Sequence, residues 1–185
     1  VLSVLQDEIE AETAIAEAEI PAQHSGPLRQ AIESGEIASL LSLSSIACSV
    51  EKIAPVPISR VKLPYVIGIY STPGSKSLEA VCLMDINAAC MLGGAMAKQP
   101  SAEVKAAIAA MTLKKDIYEN CASFLSDLAG MISRGGGKQV TLISSHLVQK
   151  PFEKLFDLMR NNDGRADFSL SFPGYGDGFI SILLS

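Results

Sequence analysis

Apolar positions recur along this chain in two periods: spacings of three and four that mark helices, and alternating or short unbroken runs that mark strands. Leu5, Ile9, Ala16 and Ile20 predict a helix over 2–20, and Pro21–Pro27, with its Pro, Gly and Ser, predicts a linker. A second helix is expected over about 28–47. The run 50–59 reads as a strand, demoted by Pro55 and Pro57 to an edge or bulged element. Tyr65–Tyr70 and Leu78–Met84 are β-rich runs around a Pro-Gly turn, the pattern of a hairpin.

Asp85 is placed to cap a helix over 86–98, in which Gly93-Gly94 either weakens the helix or lets another backbone come close. Ser101 is placed to cap a short helix over 102–110. A long helix over about 113–133 stops at Gly135-Gly136-Gly137. After it come a strand over 138–147, a helix from Pro151 to about Arg160, and a second hairpin, 165–172 with 178–184. The two stretches 27–84 and 113–185 therefore repeat one order, a long helix, a strand and a hairpin, joined by the helices at 86–110. That order predicts an α+β domain with antiparallel pairing and helices on one face. Residues 1–26 stand apart as an acidic helix and linker.

Composition narrows the picture. The 185 residues suit one domain with a sizeable core, and 48% hydrophobic against 19% charged residues excludes disorder. No apolar run reaches the ~18 residues of a membrane span. The acidic start lacks the basic region of a secretory signal, which leads us to expect a cytoplasmic protein. Val1 in place of Met suggests a stretch of a longer protein. Residues 1–28 hold six acids and no Lys or Arg, so the remaining 14 acids and 15 bases nearly balance, and the net charge of −5 comes from the N-terminal segment. Without a basic stripe or any Trp, nucleic-acid binding has no support. Cys48, Cys82, Cys90 and Cys121 lie far apart in apolar stretches and read as reduced core thiols; with His24 and His146 they form no metal-ligand set.

Nucleotide motifs fail on direction. Gly135–Gly137 runs from helix to strand, and Gly174-Tyr-Gly-Asp-Gly178 joins two strands, whereas phosphate-binding loops run strand, loop, helix. GxSxG, HExxH and a nucleophilic Cys with a nearby His are all absent. One constellation stands out. At about 100° per residue, Asp116, Asn120, Ser123 and Asp127 share one stripe of the long helix within about 60°. Ile117, Cys121, Phe124, Leu125, Leu128 and Ile132 form its opposite, core-facing side. The stripe sets a carboxylate and a carboxamide one turn apart, facing solvent.

With this element order and this acid–amide helix, the chain resembles the CheC/CheX phosphatases of chemotaxis over roughly residues 27–185. The resemblance implies a pseudo-two-fold domain of two helix-plus-three-strand halves, a mostly antiparallel sheet with helices packed on it. In that family a Glu-x-x-Asn motif on a surface helix acts on the aspartyl phosphate of a response-regulator receiver domain. The amide orients the attacking water, the acid engages the regulator's Lys, and the Mg²⁺ is the regulator's own. No cofactor of the chain's own is implied. Here Asp116 and Asn120 supply the groups at i, i+4, while Asp127-Leu-Ala-Gly130 lacks the amide. Glu33 and Glu36 of the earlier helix have Ser34 and Ser39 for company. The paired prolines that usually end the family strand match Pro55 and Pro57, but Ser144-Ser145 stands there in the second half.

Three functions follow from the resemblance. The expected one is a module that docks on a receiver domain without efficient catalysis, through Glu119, Ser123, Asp127, Glu33 and Glu36. The second is an active phosphatase with Asp116 and Asn120 as its catalytic pair. The third is a structural protein like the flagellar-switch component FliM, which is similar in fold. A homodimer through an open edge at Ile180–Leu184 is a further expectation.

Overall fold

Strands form where the β-branched and aromatic runs fall. The computed structural model describes residues 10, 12–16, 32–136, 138–150, 152–160 and 163–185. The strands are β1 (Ser49–Ile53), β2 (Tyr65–Ser71), β3 (Leu78–Met84), β4 (Thr141–Val148), β5 (Arg165–Phe172) and β6 (Gly176–Leu184). They make one sheet in the order β1-β5-β6-β3-β2-β4, with every neighbouring pair antiparallel. If β1 is exchanged with β4, β2 with β5 and β3 with β6, the order reads the same backwards. The repeat in the sequence is thus a pseudo-two-fold axis, passing between Cys82 and Ile182, which face each other across β3 and β6. Each half lends its first strand to the other half's hairpin.

The helices are α1 (Ser34–Leu43), α2 (Ile86–Met96), α3 (Ser101–Ala109), α4 (Lys115–Gly136) and α5 (Glu153–Arg160). Helix α1 is shorter than expected, because Glu33 is extended (φ −107°, ψ 153°) and Ser45 turns left-handed (φ 58°) just past its end. Ser101 is the first residue of α3, and Pro100 occupies the cap position. Strand β1 stops at Ile53, and Pro55 and Pro57 lead instead into a 3-10 turn, Ile58–Arg60. Residues 10 and 12–16 are helical. The rest of the expected N-terminal helix, the linker and Pro151 lie outside the described residues.

Helices α1, α2 and α4 pack on one sheet face with Val104 and Ala107 of α3, against Val66, Tyr70, Cys82, Phe168, Leu170 and Ile182. The expectation of helices on one face is corrected by the other side. There Ile15 and the α5 residues Leu155, Leu158 and Met159 cover Ile67, Ile69, Val81, Leu83 and Val148. Both sets of strand positions are apolar, so both faces need a cover. The expected open edge at Ile180–Leu184 is corrected too: β6 lies between β5 and β3, and the sheet's edges are β1 and β4.

On this second face the halves differ. Strand register equates Ile67, Ile69 and Val81 with Arg165, Asp167 and Ser181. Where the first half is apolar, the second holds a buried ionic cluster, with Arg165 3% and Asp167 0% exposed at the side chain. Arg165 Nη2 donates to Asp167 Oδ2 and to the Val56 carbonyl, both at 2.7 Å, and Nη1 donates to the Met159 carbonyl. Nε donates to Asp167 Oδ1 at 2.8 Å and to Ser181 Oγ at 3.1 Å. Asp167 in turn accepts the Val56 N–H at 2.7 Å and the Ser181 hydroxyl at 2.6 Å. The cluster ties β5 to the Pro-Val-Pro segment after β1 and to the end of α5.

Candidate functional site

Helix α4 carries the acid–amide stripe. Its six predicted core residues, Ile117, Cys121, Phe124, Leu125, Leu128 and Ile132, are all buried. Asp116 in the first turn and Arg134 in the last suit the helix dipole. The stripe itself does not all face solvent. Helix α2, apolar apart from Asn87 in its first turn, wedges in beside α4, and Gly93 is the point of closest approach. A Cβ there would overlap the Ile117 carbonyl, so the glycine is what lets the two backbones meet.

Asn120 is half-buried at this crossing, and its Nδ2 donates to the Gly93 carbonyl at 3.2 Å. That carbonyl also accepts the Ala97 N–H at 3.0 Å, near the end of α2. Asp116 is exposed, and its Oδ2 accepts from Gln99 Nε2 at 2.7 Å, just past the end of α2. The two side chains share one helix face, one turn apart, and both hold the C-terminal end of α2. Neither Gln99 as the partner of Asp116 nor the Gly93 carbonyl as that of Asn120 was foreseen.

Ser123 and Asp127 are exposed farther along α4. Glu119 is exposed beside Lys115 at 3.7 Å. Glu33 and Glu36 sit at the start of α1, where Glu36 accepts the Glu33 N–H at 3.0 Å and Glu33 pairs with Lys52 at 2.9 Å. The register of the sheet equates Ile53 with Ser144, 91 residues on, because they face the equivalent residues Asp167 and Ile69. The same offset lays the buried Ile37 and Leu41 of α1 on the buried Leu128 and Ile132 of α4. Glu36 then falls on Asp127 and Ser39 on Gly130, and all four are exposed. Each half therefore presents an acid with a short residue three positions on. The Ser39 hydroxyl donates to the Gly35 carbonyl at 2.7 Å, and the space around Gly130 is open.

Three thiols lie in the core under the helices, with burial as the leading cause of their raised pKa values. Cys90 is pushed to about 12, with the Asp85 charge adding to the rise. Cys82 and Cys121 are driven well above their ordinary 9.0. Cys48, partly exposed, is raised to about 11. Such thiols stay protonated near neutrality and are poor nucleophiles. Among the described residues, no group of three or more His, Cys, Asp or Glu could hold a metal ion, and no helix is long and apolar enough to cross a membrane.

Neither a family model nor a curated protein matches this sequence. Solved structures do match. A FliM middle domain from H. pylori superposes with a TM-score of 0.52 at 7% identity, covering 81% of this chain and 83% of that one. A chain of the FliG–FliM complex from H. pylori gives 0.53 at 7%, covering 96% and 92%. A chain of the CheX–CheY complex from Borrelia burgdorferi is similar at a TM-score of 0.46 and 13% identity, over 80% and 92%. The fold is that of the FliM middle domain: an α+β domain of two related halves around one antiparallel sheet.

Proposed function

We propose that this chain is a docking module of chemotaxis-type signalling that binds a response-regulator receiver domain without efficient catalysis. The exposed acids of α4 and α1, with Asp127 and Glu36 at their centres, would make the contact. Any Mg²⁺ in the complex belongs to the receiver. The observation that carries the reading is the Asn120 amide, half-buried at the helix crossing and tied through one Nδ2 hydrogen to the Gly93 carbonyl. A water-orienting amide has to be free to meet the phosphoryl group and its water. The equivalent acid-x-x-Ser and acid-x-x-Gly positions supply a carboxylate and no amide at all. The fold itself has been solved in a FliG–FliM complex, a protein-binding setting.

The test is a calorimetric titration with a beryllofluoride-activated receiver domain, run beside a phosphate-lifetime assay on the same receiver. Saturable binding is expected, weakened about tenfold in the Glu36→Lys, Asp127→Lys double variant, with the phosphate lifetime unchanged. A shortened lifetime that Asn120→Ala restores would overturn the non-catalytic reading and make Asp116 and Asn120 the working pair.

A further inference from the structure

On the second face of the sheet, away from the acid-bearing helices, a cleft of about 380 Å³ opens between the segment after β1 and helix α5. Pro55, Val56 and Pro57 form one side, and Phe156 and Met159 form the other. Proline rings, a phenyl ring and a thioether give it apolar walls, and the volume equals about a dozen waters at ~30 Å³ each, within the usual range for small-molecule sites.

Its charged groups are two arginines, each paired with an aspartate: Arg165 with Asp167 and Arg160 with Asp157. Arg165 closes the inner end, and Arg160, with 78% of its side chain exposed, stands at the mouth. Arg160 shares one contact with Asp157 at 3.1 Å, which leaves most of its guanidinium donors to solvent. Four of the five Arg165 N–H groups have acceptors in the cluster described above, and the remaining Nη1 hydrogen has none among the described residues. The sequence reinforces this. From Lys52 to Leu78 there is no Asp or Glu, while Arg60 and Lys62 follow the cleft residue Ser59 closely. In a chain of net charge −5, the segment on this side of the apolar hollow is thus basic, and Arg160 is the exposed cation at its mouth.

We propose that the cleft binds a small amphipathic carboxylate: a compact apolar body held between the proline segment and α5, with its anionic head on Arg160. An apolar wall and a guanidinium at the mouth select for that combination, since a neutral analogue forgoes the charge-assisted bonds and a polar anion forgoes the walls. The ionic cluster keeps both sides of the cleft in place, because Arg165 grips the Val56 and Met159 carbonyls together. The same chemistry can come from a free aliphatic acid or from a peptide ending in an apolar residue with a free carboxylate.

The test is a titration of the full chain with octanoate, followed by calorimetry and amide NMR shifts. Octanamide serves as the neutral control, and a short Leu-terminated peptide is compared as free acid and as amide. One saturable site is expected for octanoate, with shifts centred on 55–59 and 156–160. Octanamide and the Arg160→Gln variant should each bind about tenfold more weakly, and Ser59→Trp should block the site. Tighter binding of the peptide acid than of octanoate assigns the peptide source; the reverse assigns the free acid. Absence of saturation, equal binding of octanamide, or indifference to both Arg160→Gln and Ser59→Trp would overturn the proposal. None of these outcomes bears on the receiver-docking reading, which concerns the opposite face.

Discussion

Gly93 accepts the cost of a glycine inside a helix because nothing larger fits beneath the Ile117 carbonyl. Gly93→Ala should push α2 away from α4, break the Asn120 contact and lower stability by about 1–3 kcal/mol, read from urea denaturation. The Arg165–Asp167 pair makes a contrasting case. Removing one partner strands a buried charge, so Asp167→Asn should cost about 3–5 kcal/mol. The first half, however, fills the equivalent positions with Ile67, Ile69 and Val81. The triple variant Arg165→Ile, Asp167→Ile, Ser181→Val should therefore recover most of that loss in the same urea measurement. A triple variant as unstable as the single one would mean that the cluster's grip on Val56 and Met159 outweighs its desolvation cost.

At the scale of elements, periodicity told which side of α4 meets the sheet, and every residue assigned to that side is buried. It did not tell that α2 covers part of the opposite stripe, because a helical wheel separates apolar from polar and is blind to a neighbouring helix. The signal was in α2 itself. The run Ile86–Met96 is apolar apart from Asn87 in its first turn, and a helix of that kind has to be enclosed. Paired with Gly93-Gly94, it agreed with a close approach by another backbone, and the structure puts that approach at Ile117, beside the acid–amide pair. Ile180–Leu184 was misplaced at an edge for a related reason: it carries apolar side chains on both faces, Ile180, Ile182 and Leu184 on one and Leu183 on the other, the mark of an interior strand covered on both sides. Gly130 yields a prediction of its own. With open space around its Cβ position, Gly130→Asn should fold normally and gain about 1 kcal/mol from helix propensity at most. It would set an amide three residues after Asp127. If the docking reading holds, this variant should shorten the receiver's phosphate lifetime while the parent chain does not.

For the molecule as a whole, the buried thiols set an alkaline limit. Cys82, Cys90 and Cys121 keep their protons in the folded core, whereas an unfolded chain releases them near 9.0. Above that pH the folded state binds more protons than the unfolded one, so stability is full below it and falls as pH rises. The urea midpoint should hold to about pH 9 and then decline, and Cys121→Ala should flatten the decline. The sheet order carries a different consequence. Hairpin β2–β3 finds its outer neighbours, β4 and β6, only in the second half, and hairpin β5–β6 finds β1 and β3 only in the first. Neither half can complete its own hydrogen-bond ladder, so unfolding should occur in a single cooperative step with no half-folded species. Cut apart, either fragment could finish its sheet only by borrowing strands from a twin, and sedimentation of residues 113–185 alone should reveal an interlocked pair.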